Sequence, residues 1–350
     1  MKQKIGVIRD ERYLDHMPGH VHYEHPSRLR AVYRMLDKEF CDIFRVYSPE
    51  PCTISQLERI HTPMYIQKVL KTSEIYFTHL TPDTPVCGHS NFCSWLAVGG
   101  CLIGLKALME REVEVFFSFV RPPGHHALPD KAGGFCIFNN VAVAAREAIV
   151  CYGIKRVLVI DWDIHHGNGI QDIFYDDPAV YYFSTHYQTS WPYSGQAAET
   201  GKDQGRGYTM NVPLPKAIND GEFIYIYSKL LPYVFENYRP ELVIVAAGFD
   251  GHEDDLSNLA KLTEASFRNI TGILMNQVYK FARPPVLFVM EGGYYPPALA
   301  SSVKEVLSEL INPSDINEVP HAASSRIEGC LQTVMAIHNS YSHLSGVKAV

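Results

Sequence analysis

Four apolar, β-branched runs recur along the chain, and each breaks abruptly into polar residues. Glu114–Val120 runs into RPPGHHA, Val157–Ile160 into DWDIHHGNG, Leu242–Ala247 into GFD, and Val286–Met290 into EGGYY. Runs of this kind read as strands buried on both faces, which requires a sheet covered by helices on each side. Helical segments lie between them, among them Val141–Tyr152, Gly221–Glu236 and Thr263–Phe281, so the chain reads as α/β with a mainly parallel central sheet. Ligands of such sheets bind outside the carboxyl ends of the strands. All four runs deliver their polar residues at that edge.

The second run carries the densest group, Asp161, Asp163, His165 and His166. Asp163 and His165 are two residues apart, so in extended backbone they leave the same face and can converge on one ion. Asp161 has the same parity and suits an orienting role behind the ligands. A helix-capping aspartate or a hydrogen-bonded core histidine accounts for any one of these residues but not for the cluster, because desolvating two carboxylates and two imidazoles is costly unless something binds them. A catalytic metal takes three protein ligands and an open position, and Asp163, His165 and Asp250 supply that count. Two carboxylates weaken the ion as a Lewis acid, so an oxyanion needs a further donor, for which Tyr294 is available. The Pro-Pro-Gly turn presents His125 and His126 side by side as a general acid/base pair. These parts fit metal-assisted hydrolysis of a carbonyl compound. A serine nucleophile lacks its GxSxG elbow, and Cys136 reads as well as a structural residue.

The remaining chain limits the alternatives. No apolar run approaches the roughly 20 residues of a membrane span, and MKQKIGVIRDERY lacks the apolar core of a signal peptide, so the expectation is a cytoplasmic protein with no membrane partner. Eight cysteines without a CxxC pair read as reduced thiols. A net charge of -7 without any Lys/Arg block argues against nucleic acid. His16, His20, His22 and His25 crowd one loop, but their spacing repeats no closed zinc pattern, and a surface or cleft-rim loop is expected. Helices are expected from Ser27 to Phe40, from Ser55 to Leu70 with a break at Pro63, and from Phe92 to Glu110, and a strand from Ala179 to Ser184. The long irregular stretch to Gly207 carries Trp191 and Tyr193, and such segments are usually functional or disordered. Gly133 and Gly134 bring a loop close to a ligand or to another backbone.

Together RPPGHHA, GGFCIFNN, DWDIHHGNG, GFD and EGGYY resemble the zinc-dependent histone deacetylase and acetylpolyamine amidohydrolase family, and HYEHPSRL (22–29), HTPMYI (61–66) and DTPV (83–86) resemble its upstream motifs. The resemblance runs to about Leu310 and implies an arginase-like, three-layer α/β/α fold. It implies zinc on Asp163, His165 and Asp250, general acid/base work by His126 with His125 as electrostatic partner, and oxyanion stabilisation by Tyr294. It implies that Asp161 hydrogen-bonds His125 and that Asn168 faces His126, where one branch of the family has aspartate, which makes the chain more like the class II branch. It further implies a substrate tunnel walled by Phe135 and Trp191 beside Gly134, and potassium near Asp161, Asp163, His165, Ser184 and Thr185. Trp191 stands where the family usually has phenylalanine, and Leu256 where it often has proline. The implied substrates are N-acetylated lysine side chains or acetylated polyamines. Residues 1–311 would form one catalytic domain, and 312–350 an extension with a helix at Ser325–His338 and a loose end; a homo-oligomer is left open. Two competitors are a two-manganese ureohydrolase, which wants a ligand where this chain has Gly167, and a non-catalytic reader of acetylated tails, which would lack Tyr294 or a ligand.

Overall fold

A computed structural model describes residues 4–314 and 324–341. The strands are β1 (Ile5–Ile8), β2 (Arg45–Tyr47), β3 (Phe77–Thr81), β4 (Thr84–Cys87), β5 (Val115–Ser118), β6 (Val157–Asp161), β7 (Val180–Tyr187), β8 (Thr209–Leu214), β9 (Leu242–Ala247) and β10 (Val286–Met290). The helices are α1 (Ser27–Glu39), α2 (Ile54–Leu57), α3 (Pro63–Leu70), α4 (Ser90–Met109), α5 (Asn140–Tyr152), α6 (Asn168–Phe174), α7 (Asp220–Tyr238), α8 (Glu264–Lys280), α9 (Pro296–Ile311) and α10 (Ser325–His338).

Eight strands form one sheet in the order β2-β1-β5-β10-β9-β6-β7-β8, parallel at every junction, while β3 and β4 make a separate antiparallel pair. Every residue of β5, β6, β9 and β10 is buried, as continuous apolar runs require. Helices α1, α9, α8 and α7 pack side by side, and α4 packs on α5, so helices flank the sheet. The four strands with polar endings are direct neighbours at its centre, β5-β10-β9-β6. Asp161 pairs with Ala246, and Ala247 with Met290, so their carboxyl ends stand level.

Local chemistry explains the boundaries. The Asn139 side chain caps α5, which ends at Gly153 in the left-handed conformation (φ 70°). Asn219 and Glu222 form a reciprocal capping box at the start of α7. Two elements carry weak sequence signals. Strand β8 contains Pro213, tolerated because β8 is an edge, and α9 opens on Pro296 and Pro297, a pair that reads as a turn but suits a first helical turn.

One expectation fails. Helix α4 is by length and composition apolar enough to cross a membrane. Its buried residues run around its whole circumference, the pattern of a helix enclosed in a core, and it packs against β5, β10 and α5. At the other end, α10 coincides with the expected helix. It is held by Arg326 on Glu222, by Tyr225 Oη donating to Glu328 at 2.7 Å, and by Tyr233 Oη donating to the His338 carbonyl at 3.0 Å. The expected loose end falls mostly in residues 342–350, outside the described residues.

Candidate active site

Asp163, His165 and Asp250 each bring one ligand atom within 4.8 Å of the others. His165 Nδ1 lies 2.7 Å from Asp250 Oδ2 and 3.4 Å from Asp163 Oδ1. The carboxylates are buried and the imidazole is partly exposed, which leaves one side open. Backbone donors aim them: Gly292 N–H to Asp163 Oδ2 at 2.9 Å, His165 N–H to Asp163 Oδ1 at 2.9 Å, and Ile164 N–H to Asp250 Oδ1 at 3.0 Å. A Cβ at Gly292 would stand 2.5 Å from Asp163 Oδ2 and 2.7 Å from Asp250 Oδ2, so only glycine leaves both oxygens facing the gap.

The electrostatics of this group are unbalanced. Burial opposes both carboxylate charges; the neighbouring imidazoles His125 and His165 nonetheless hold Asp163 low, while Asp250, facing the Asp163 charge, is pushed up. Burial also opposes a charged His165, yet Asp250 and Asp163 raise it to about 10. Two carboxylates sharing one imidazolium leave negative charge in a dry place, which a divalent cation would relieve. Two carboxylate oxygens and one imidazole nitrogen suit a first-row divalent ion.

Beside this group the His125 and His126 rings lie 3.8 Å apart. His125 Nδ1 meets Asp161 Oδ2 at 3.2 Å, and that oxygen also accepts from Tyr182 Oη at 2.9 Å. His126 Nδ1 meets Asn168 Oδ1 at 2.9 Å. Burial penalises charge on both rings, but the outcomes diverge. Asp163 and Asp161 raise His125 to about 10, whereas nothing of comparable strength rescues His126, which burial and then the charges of His125 and His165 drive well below its ordinary value. Two adjacent groups pushed apart in this way suit an acid/base pair.

Glu291 is a site residue that the sequence reading placed at the carboxyl end of the fourth run but gave no role. Its Oε2 accepts from Gly124 N–H at 2.7 Å and His125 N–H at 3.2 Å, so it holds the backbone that presents the histidine pair, and burial pushes its carboxyl up to about 7. Its position at the end of a wholly apolar strand is the signal that could have found it. His125, Cys136 and Glu291 form a second group of ligand-type atoms within 4.8 Å, so one cysteine does reach the site.

Tyr294 is half-buried, its ring 5.5 Å from Phe135 edge-on and 4.9 Å from the Arg28 guanidinium. Desolvation, with the nearby charges of Asp250 and Asp163, keeps its phenol well above the usual value, hence protonated. Phe135 and His22 meet edge to face at 4.7 Å, and Trp191 meets the His126 ring edge-on at 4.5 Å. Gly134, at φ 53°, sits where a Cβ would collide with His126 and Trp191, so the aromatic wall closes directly over the histidine. Trp191, 37% exposed, marks the outer end.

Other sequence candidates fall elsewhere. His166 turns away from the ligands to Ser194 Oγ (2.8 Å) and Gln171 Oε1 (3.1 Å), and burial lowers it to about 3. Ser184 pairs with Asp161 across β6 and β7, its hydroxyl on His186 Nδ1, and the Thr185 hydroxyl is on Tyr227 Oη, each at 2.8 Å. A Cβ at Gly167 would collide with Asp161 Oδ2 and stand 2.7 Å from Tyr182 Oη, so the extra aspartate of a two-manganese site has no room. The histidine loop divides. His22 lies against Phe135, but His16 is buried, bonded to Ser90 Oγ at 2.7 Å and to Glu24 at 3.2 Å. A surface loop is therefore the wrong description for its first part, because Glu24 needs buried partners.

Fold and site together describe an α/β protein with a candidate metal-ligand cluster and a histidine pair at the carboxyl edge of its sheet. Residues 22–310 match the histone deacetylase domain, and the chain belongs to that family. It is 33% identical over 340 residues to histone deacetylase 15 of Arabidopsis thaliana, covering 94% of this chain and 60% of the relative. It is 34% identical over 293 residues to a histone deacetylase-like amidohydrolase of Pseudomonas aeruginosa, covering 82% of this chain and 77% of that one. The crystal structure of the HDA15 HD domain superposes with a TM-score of 0.89 at 30% identity, over 99% of each chain. The chain thus spans 60% of the plant relative's own length.

Proposed function

We propose that this chain hydrolyses the amide bond of N-acetylated amines, acetyl-lysine side chains of proteins foremost, with one zinc ion held by Asp163, His165 and Asp250. The observation that carries the reading is the meeting of that donor set with a histidine pair of opposite charge preference and a protonated phenol, beside the aromatic rings of Phe135 and Trp191. When bound, zinc supplies polarisation of the amide carbonyl and activation of a water.

The side chains do the rest. Asn168 Oδ1 can only accept, so His126 carries its hydrogen on Nδ1 and leaves Nε2 as the base that takes the water's proton. Asp161 fixes the His125 ring and favours its charge beside the developing anion. Tyr294 donates its O–H to the oxyanion. Phe135 and Trp191 pack along the aliphatic arm of the substrate, and Gly134 keeps that wall thin. A potassium ion would be held by Asp161, Asp163, His165, Ser184 and Thr185. Residues 1–311 form the catalytic domain in this reading, and 312–350 an extension docked through α10.

The test compares kcat/KM on an acetyl-lysine peptide, acetylated polyamines and longer acyl-lysines, using zinc-loaded protein of measured metal content. The highest value is expected on the acetyl-lysine peptide. A preference for polyamines would move the assignment to acetylpolyamine deacetylation, and no hydrolysis of any of them would overturn it.

A further inference from the structure

Tyr294 has to be aimed, and its side chain has few means of doing so, because it lies on a Gly-Gly turn between β10 and α9. The aim comes from another loop. Asp255, buried five residues beyond the ligand Asp250, accepts from Tyr294 N–H at 2.6 Å and from Tyr295 N–H at 3.0 Å, both through Oδ2. Its Oδ1 accepts from Ser257 N–H at 3.0 Å, and the Ser257 hydroxyl donates to the Asp250 carbonyl. On the opposite side of the same turn, Arg28 Nε donates to the Gly293 carbonyl. The turn is therefore gripped by a carboxylate at its donors and a guanidinium at its acceptor.

Helix capping does not explain the carboxylate. Helix α9 opens on Pro296 and Pro297, which have no N–H to satisfy, and the bonds fall on the residue bearing the phenol and the one after it. Burying an aspartate is costly without such charge-assisted bonds, so the arrangement is specific to this turn. We infer that Asp255 is a positioning residue for Tyr294: it ties the loop of the metal ligand Asp250 to the turn carrying the phenol, so that ion and hydrogen-bond donor keep one geometry.

The inference rests on the oxyanion role proposed for Tyr294, and the test separates the two. Asp255→Asn, Asp255→Ala, Tyr294→Phe and the two double variants are compared as zinc-loaded proteins for kcat, KM and metal content on an acetyl-lysine peptide. Asp255→Ala should lower kcat about 10- to 100-fold, the scale of a displacement near 1 Å. Asp255→Asn, whose amide oxygen still accepts, should lose less. KM should stay within about twofold and zinc content at one per chain, as a change confined to the transition state requires. In the Tyr294→Phe background either change should cost less than about twofold, because the group it positions is gone. An equal loss in both backgrounds, or a loss that tracks zinc content, overturns the inference while leaving a slow Tyr294→Phe variant to support the phenol's role. Near-normal turnover of Tyr294→Phe overturns both. If Asp255→Ala fails to fold, the asparagine variant carries the same comparison.

Discussion

Two buried ionic clusters meet the turn at Glu291–Gly293, and they are built on opposite principles. On one side Glu24 is closed by partners: Oε1 receives Arg28 at 2.9 Å and Arg121 at 2.6 Å, and Oε2 receives Arg121 at 2.7 Å and His16 at 3.2 Å. The remaining guanidinium groups reach the carbonyls of Tyr13, His16, Gly293 and Glu291. On the other side Asp163, His165 and Asp250 have one another, His125 at 3.9 Å from Asp163, and a few backbone donors, and Asp250 is pushed up by burial and the Asp163 charge. The difference teaches how to tell a structural charge cluster from a binding one. The first saturates its donors and acceptors, and the second leaves ligand atoms facing one another that an ion would satisfy.

The largest effect should separate the clusters outright. Asp250→Ala should release the metal and abolish measurable turnover while the chain stays folded, as read by zinc content and circular dichroism; stoichiometric zinc in that variant would remove Asp250 from the ligand set. Glu24→Gln should do the reverse. Breaking a buried pair costs about 3–5 kcal/mol, so its urea midpoint should fall, with zinc still at one per chain; unchanged stability would show that the closed cluster is not structural.

Titration sharpens the contrast. Burial opposes ionisation of Glu24, but Arg121 and then His16 hold its carboxyl well below the ordinary 4.5. A carboxyl lower in the folded than in the unfolded chain stabilises above the unfolded value and loses that contribution as pH falls through the folded one. Stability should therefore decline as pH drops from about 4.5 downward, and Glu24→Gln should flatten that decline. An identical acid slope in wild type and variant would dismiss Glu24 as its source. The smallest effect belongs to an ion pair between half-exposed Arg326 and the buried Glu222: Arg326→Ala should cost about 1 kcal/mol, since the Ser324 hydroxyl and the Asn219 backbone N–H still hold Glu222, with kcat unchanged. A larger loss would make α10 part of the folding core.

Much of this was legible from residues alone. Strands β5, β6, β9 and β10 are where apolar runs predict them, because a doubly buried strand has no polar face to obscure it. The pairing of His125 with Asp161 and of His126 with Asn168 agrees with the family resemblance. The buried Glu24 cluster was not legible: Arg28 and His16 are close in sequence, but its partner Arg121 stands 97 residues away, and nothing local announces that pairing. Helix α4 was legible as a helix at Phe92–Glu110, but not its membrane-span length and hydropathy, since an all-round apolar surface reads alike for a core helix and a span. Glu291 and Asp255 stayed unassigned because their partners are backbone N–H groups, which leave no mark on side-chain patterns.

By itself the sequence determined which segments are strands, what each carries at its carboxyl end, and that Asp163 and His165 share a face, since backbone periodicity acts over a few residues. Only the tertiary structure decided that β5, β10, β9 and β6 would be neighbours, that Asp250 would reach His165, and that Asp255 would grip the turn of Tyr294. Strand order and long-range contacts come from how whole layers pack, and no local period encodes them.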